Sequence, residues 1–166
     1  MRKYSILWVS VLALFLGGCA PKHYTISIPK LIVIKTPKLK FSDMGYLRYE
    51  GDAVEMELFT AGVAVEKISL DSKVCVSAGC MSEERFTQTY LNPAYPTDTM
   101  RRVLQNHDIF GGEGMNESCG GAKTQLIRND EIDIVYRRSP TEIYFKDRLN
   151  GIMIKILDVA EDNGTQ

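Results

Sequence analysis

The stretch Ala53-Val54-Glu55-Met56-Glu57-Leu58-Phe59 decides the fold, because its apolar and charged side chains alternate one by one. Successive side chains of a β-strand point to opposite faces of the sheet. Val54, Met56 and Leu58 therefore share one face and the two glutamates share the other. This alternation predicts an antiparallel sheet with one face against an apolar core and the other in solvent.

The segments on either side of this stretch extend the sheet. Residues 45–49 precede it across the turn Glu50-Gly51-Asp52, which is a hairpin signal. After the stretch, the apolar positions of residues 63–70 change parity between Val65 and Ile68. That change predicts either a β-bulge or a strand that is apolar on both faces.

Further short strands are expected along most of the chain, at residues 32–34 (an edge strand), 74–76, 122–128, 131–136, 142–145 and 152–156. Helix is predicted only in the middle, as a capped turn at 82–86 and a helix over 97–105 with one apolar side. The fold class is therefore mainly β. Eight to ten antiparallel strands form a curved sheet, an incomplete β-barrel, with a helical lid or plug on its concave side.

The amino terminus has the features of an export signal. Arg2 and Lys3 precede an apolar run over residues 6–16, and the sequence Leu16-Gly17-Gly18-Cys19 follows. These four residues resemble the bacterial lipobox, in which the cysteine becomes the acylated first residue of the mature protein. We therefore expect lipid attachment at Cys19. In some bacteria an aspartate after the cysteine acts as a retention signal, and because Ala20 stands there instead, we expect an outer-membrane location facing the periplasm.

This reading divides the chain into a signal peptide (1–18), a lipidated tether (19–40), a β domain (41–159) and a polar tail (160–166). Without the signal, 18 basic residues face 21 acidic ones, a net charge near −3. Such a balance argues against nucleic acid as a partner. The protein is expected to be a monomer whose partner through Cys19 is membrane lipid.

Three cysteines follow the lipobox. Cys75 and Cys80 flank a short turn and are expected to form a disulfide, because disulfides persist outside the cytoplasm. A pairing of either one with Cys119 is the alternative. Neither His23 nor His107 stands at a ligand spacing to the cysteines, so we expect no metal, and we expect no cofactor.

The order of elements resembles the LolA/LolB lipoprotein carriers, and more closely the outer-membrane receptor LolB. The resemblance lies in Leu58-Phe-Thr-Ala-Gly-Val-Ala-Val-Glu66, in residues 96–105 and in the closing hairpin over residues 141–156, and it covers roughly residues 44–158. Receptor members carry a protruding leucine at the first of these turns, where this chain has only Ala61. The resemblance implies an incomplete barrel whose apolar hollow shelters the acyl chains of another lipoprotein, and it implies a periplasmic lipoprotein carrier and its cargo as partners.

If the sheet curves, thirteen apolar residues line its concave face and the helix above it, and these are the expected acyl-chain site: Val54, Met56, Leu58, Val65, Met100, Val103, Leu104, Ile132, Ile134, Ile143, Phe145, Ile152 and Ile154. Alternation alone cannot distinguish a hollow from a filled core. The alternative function is a lipid-anchored accessory subunit that docks through an edge strand. We expect no enzyme, because His107 beside Asp108 is the only candidate base in the folded region and reads as a helix cap.

Overall fold

The computed structural model describes residues 26–118 and 120–159, which form an eleven-stranded antiparallel sheet with short helices on one face. The strands are β1 (Ile26–Lys35), β2 (Lys40–Glu50), β3 (Ala53–Thr60), β4 (Val63–Leu70), β5 (Val74–Val76), β6 (Gly79–Met81), β7 (Met115–Glu117), β8 (Lys123–Arg128), β9 (Asp133–Arg138), β10 (Glu142–Asp147) and β11 (Ile152–Asp158). Their spatial order is β6-β5-β4-β3-β2-β1-β11-β10-β9-β8-β7. The curved sheet is not closed at its edges, so the predicted class, an incomplete β-barrel with a helical lid, is confirmed.

The helices lie between β6 and β7 in a segment that we call the cover, residues 82–112. It contains α1 (Glu83–Tyr90), α2 (Thr99–Leu104) and a 3₁₀ turn (Phe110–Gly112). The side chain of Ser82 caps α1 by accepting a hydrogen bond from the backbone N–H of Arg85. The predicted capped turn is therefore a complete helix. The predicted helix over 97–105 is shorter than expected, because Asp98 occupies its N-cap position.

Strand β1 corrects two expectations. It lies between β2 and β11 in the middle of the sheet, and it is not an edge strand. It begins at Ile26, so the β domain starts before residue 41 and residues 26–40 are not a tether. The prolines suggested an edge, because proline has no backbone N–H to donate to a neighbouring strand. Pairing of β1 with β11 starts only at Lys30, so the side of β1 that faces β11 has no strand neighbour at Pro29.

The alternating side chains place an apolar layer on the concave face, against the cover. Met56 of β3, for example, lies opposite Leu47 of β2 and Ile68 of β4, and all three are buried. Gly45 lets the central strands approach closely, because a Cβ there would lie 2.6 Å from Ile32 Cδ1 and 2.8 Å from Glu57 O. The predicted signal peptide, Cys19, Cys119 and the polar tail at 160–166 lie outside the described residues.

Candidate functional site

Twelve of the thirteen residues expected to line an acyl-chain site are buried in one apolar cluster, which we call the concave core. Eleven of the twelve are at most 3% exposed, and Ile143 is 8% exposed. The cover contributes seven members of this cluster, three of which are among the twelve: Phe86, Leu91, Tyr95, Met100, Val103, Leu104 and Ile109. Sheet and cover side chains therefore pack against each other over most of the concave side.

Val65 is the exception, and its assignment to the concave face is wrong. Leu58 pairs with Glu66 whereas Phe59 pairs with Ala64, so Val65 is an extra residue in β4. This β-bulge changes the alternation and leaves the Val65 side chain 51% exposed on the convex side. The parity change in the sequence was therefore produced by a bulge.

Several concave-core residues were missed by the sequence reading because they lie in segments without a regular pattern. Phe86, Leu91 and Tyr95 belong to α1 and the loop after it, where turn residues interrupt the apolar periodicity. Leu47 and Tyr136 follow strand alternation and could have been found from it. Burial raises the pKa of the Tyr136 hydroxyl, which donates to the backbone carbonyl of His107.

Arg101 of α2 fastens the cover to one end of the sheet. Its Nε donates to Glu83 Oε1 at 2.7 Å, and its two terminal nitrogens donate to Asp52 O and Asp71 O at 2.6 Å each. These carbonyls belong to the turns after β2 and after β4. One side chain thus joins both helices to two turns of the sheet.

Two tyrosines connect the cover to the middle of the sheet. The Tyr49 hydroxyl donates to Leu104 O at 2.9 Å, and burial together with the charge of Asp158 raises the pKa of Tyr49 to about 12. The Tyr95 hydroxyl donates to Asp147 Oδ2 at 2.7 Å inside the molecule. Burial and this bond raise the pKa of Tyr95, so both hydroxyls remain donors at neutral pH.

Asp147 is fully buried at the end of β10 and accepts five hydrogen bonds. The donors are Tyr95, the backbone N–H groups of Asp133, Leu149 and Asn150, and the Asn150 side chain. Burial by itself would raise the pKa of Asp147, but these hydrogen bonds outweigh it and the pKa is lowered. The carboxylate therefore organises the β10–β11 turn.

A groove opens where the end of α2 meets the β9–β10 turn, and we call it the mouth groove. Its polar part has a volume of about 250 Å³ and is lined by Asn106, Gly121, Lys123, Arg138, Ser139 and Pro140. The groove continues into a smaller cavity of about 110 Å³, which we call the slot and which shares Asn106, Ser139 and Pro140 with the polar part. The apolar floor of the slot consists of Leu47, Ile143 and Ile156, and the concave core thus meets a cavity here.

The convex face carries an exposed apolar patch, which we call the convex patch: Leu31, Met44, Tyr46, Phe59 and Val65. Leu31 pairs with Met44 across β1 and β2, and the rings of Tyr46 and Phe59 meet edge to face at 5.7 Å. The first three of these side chains are each close to 39% exposed. A depression of about 500 Å³ lies beside them, at the β3–β4 turn. Alternation predicts polar residues on this face, so the patch departs from the pattern.

The other expected chemical groups are placed as follows. Cys75 and Cys80 are directly paired across β5 and β6 and form the expected disulfide. His107 is exposed at the end of α2, and Asp108 forms an ion pair with Arg138. Within residues 26–118 and 120–159, no three His, Cys, Asp or Glu side chains are grouped as metal ligands, and no helix is long and apolar enough to cross a membrane.

Comparison of the chain with protein-family models, with curated proteins and with solved structures finds no match. The resemblance to the LolA/LolB carriers therefore rests on the residues quoted above.

Proposed function

We propose that this protein is a lipid-anchored envelope protein that binds acyl chains of another lipoprotein at the periplasmic face of the outer membrane and helps to place them there. The observation that supports this function is the construction of the concave side. A one-sided apolar sheet is covered by a segment of two short helices, and an apolar-floored slot opens at the edge of that segment.

An acyl chain enters by replacing the cover, because cover side chains are packed against the sheet in the concave core. The seven apolar residues that the cover buries contribute roughly 10–20 kcal/mol, at about 1.5–3 kcal/mol each. A sixteen-carbon chain contributes about 12 kcal/mol at about 0.8 kcal/mol per methylene. These two energies are similar, so an acyl chain can exchange with the cover without a separate energy source.

The test is uptake of a fluorescent triacylated lipopeptide by the full chain carrying Cys19→Ser, which removes the protein's own anchor. We expect saturable binding together with faster amide hydrogen exchange across residues 83–112, because the bound chain displaces the cover. Exchange in the central strands β1, β2 and β11 should not change.

Ile143→Glu and Tyr144→Glu form a matched pair, because the two residues are neighbours on β10 and face opposite sides of the sheet. Ile143→Glu should reduce uptake at least tenfold, whereas Tyr144→Glu should not, with both variants shown to be folded by circular dichroism. Equal uptake by the two folded variants, or no uptake by the parent chain, rejects the carrier function.

The second candidate function is a lipid-anchored accessory subunit of an envelope complex. The edge strands β6 and β7 have only three residues each, so they offer little backbone for strand addition. The convex patch supports docking instead, since exposed apolar patches mark interaction surfaces. Under this function, the parent chain takes up no acyl chain, Phe59→Glu abolishes co-purification with a defined envelope complex, and Ile143→Glu does not.

A further inference from the structure

The polar part of the mouth groove carries hydrogen-bond donors. Ser139 Oγ accepts from the backbone N–H groups of Thr141 at 3.3 Å and Glu142 at 3.0 Å, and its hydroxyl proton can turn toward a ligand from its long contact with Thr141 Oγ1 at 3.5 Å. Arg138 Nε is buried without a partner, in a side chain only 10% exposed. Three donors or cations, with Lys123 as the third, thus line one cavity.

Each carboxylate around this cavity already lies close to a lysine or arginine side chain. Asp108 forms an ion pair with Arg138, and Glu117 Oε2 lies 4.0 Å from Lys123 Nζ. At the slot, Asp158 pairs with Lys30, and Glu142 Oε1 lies 3.7 Å from Lys155 Nζ. The contact between Glu117 and Lys123 is the longest of these, and both side chains are more than 40% exposed. Lys123 can therefore turn toward an anion in the groove at little cost.

One acceptor in the groove also has no partner. Asn106 Oδ1 is buried without a hydrogen bond, while its Nδ2 donates to Ser139 O at 3.3 Å. The positive φ of Asn106, 58°, places this side chain at the junction between the polar part and the slot, both of which it lines. A head group with anionic oxygens suits the donors, and one that also carries an O–H, such as a phosphate monoester, suits the acceptor as well.

The slot limits the length of the apolar part of a ligand while the cover stays closed. A group the size of water occupies roughly 30 Å³, so the slot's volume of about 110 Å³ holds about four heavy atoms. Leu47, Ile143 and Ile156 give a carbon chain apolar contacts in the slot, whose lining also includes Lys30, Tyr49, Thr141, Glu142 and Asp158. A short chain therefore fits without any movement of α1 or α2.

We propose that the mouth groove binds a single-chain amphiphile with an anionic head group, a carboxylate or a phosphate monoester. The head lies against Lys123, Arg138 and Ser139, and about the last four carbons of the tail enter the slot. This site is separate from acyl uptake into the concave core, because it is occupied while the cover is closed.

The test uses the full chain carrying Cys19→Ser and four probes: hexyl phosphate, hexanoate, hexanol and inorganic phosphate. Calorimetry should show that at least one of the two anionic amphiphiles binds tenfold or more tightly than hexanol and than inorganic phosphate. Comparison of hexyl phosphate with hexanoate identifies the preferred head group. Backbone amide NMR signals of residues 138–143 should shift on binding, and amide exchange across residues 83–112 should not change.

Lys123→Gln should weaken binding of the anionic amphiphiles at least tenfold and leave binding of hexanol unchanged. Lys73→Gln is the matched control, because Lys73 is an exposed lysine in the β4–β5 turn, outside the groove. Three results overturn the proposal: equal affinity for hexanol and the anionic probes, equal effects of the two lysine substitutions, or no binding. None of these results bears on triacylated lipopeptide uptake, which requires the cover to open and is measured separately.

Discussion

At the scale of single residues, Asp147 is a buried carboxylate that accepts five hydrogen bonds. Asp147→Asn removes the charge and sets an amide N–H₂ against hydrogen-bond donors, so we expect a loss of about 1–3 kcal/mol in the free energy of unfolding at neutral pH. Urea unfolding followed by circular dichroism measures it. The exposed turn residue Asp130 provides the control, because Asp130→Asn should change stability by less than about 0.5 kcal/mol.

The effect of Asp147 should also depend on pH. Its pKa is lowered in the folded state, whereas an unfolded aspartate titrates near 3.9. A lowered folded-state pKa contributes stability that is complete above the unfolded value and is lost as the pH falls through the folded value. The difference between the parent chain and Asp147→Asn should therefore be constant from about pH 5 to 7 and shrink below about pH 4. A difference that grows in acid contradicts this role.

At the scale of elements, Arg101 determines how firmly the cover is held. Arg101→Gln removes a charged bond to Glu83 and weakens two bonds to turn carbonyls, each typically worth about 1.5–3 kcal/mol when charge-assisted. We expect amide exchange in α1 and α2 to accelerate at least tenfold while the central strands change much less. Arg85→Gln on the exposed side of α1 should leave exchange unchanged, and a uniform acceleration throughout the sheet argues against a separately mobile cover.

The β5–β6 hairpin depends on its disulfide. Closing so short a loop contributes about 2 kcal/mol in the chain-entropy estimate, because the crosslink restricts mainly the unfolded chain. Replacement of both Cys75 and Cys80 by serine should lower the unfolding free energy by about that amount. Peptide mapping without reductant should recover the two residues in one linked peptide, and a link from either to Cys119 contradicts the pairing.

At the scale of the whole molecule, the prediction concerns the anchor. Cys19→Ser should remove acylation and release the protein from the membrane fraction, because the lipobox predicts that the lipid on Cys19 is the anchor. Mass spectrometry of the mature protein and fractionation of the envelope measure this. A mature amino terminus at another residue contradicts the lipobox reading.

The sequence by itself determined the fold class, because strand alternation and turn residues are local properties. Val54, Met56 and Leu58 could be assigned to the concave core from neighbouring residues alone, and so could the short-range pair Cys75 and Cys80. Local signals also located the turn Glu50-Gly51-Asp52, which joins β2 and β3 in a short hairpin.

Only the tertiary structure decided which strands are central and whether the concave side is open. The pairing of β1 with β11 joins residues more than 100 positions apart, and no local pattern records such a partner. The β-bulge at Val65 depends on how β3 pairs with β4, and the filling of the concave core depends on where α1 and α2 come to lie. Alternation specifies which face of a strand is apolar, but the packing of distant segments determines what covers that face.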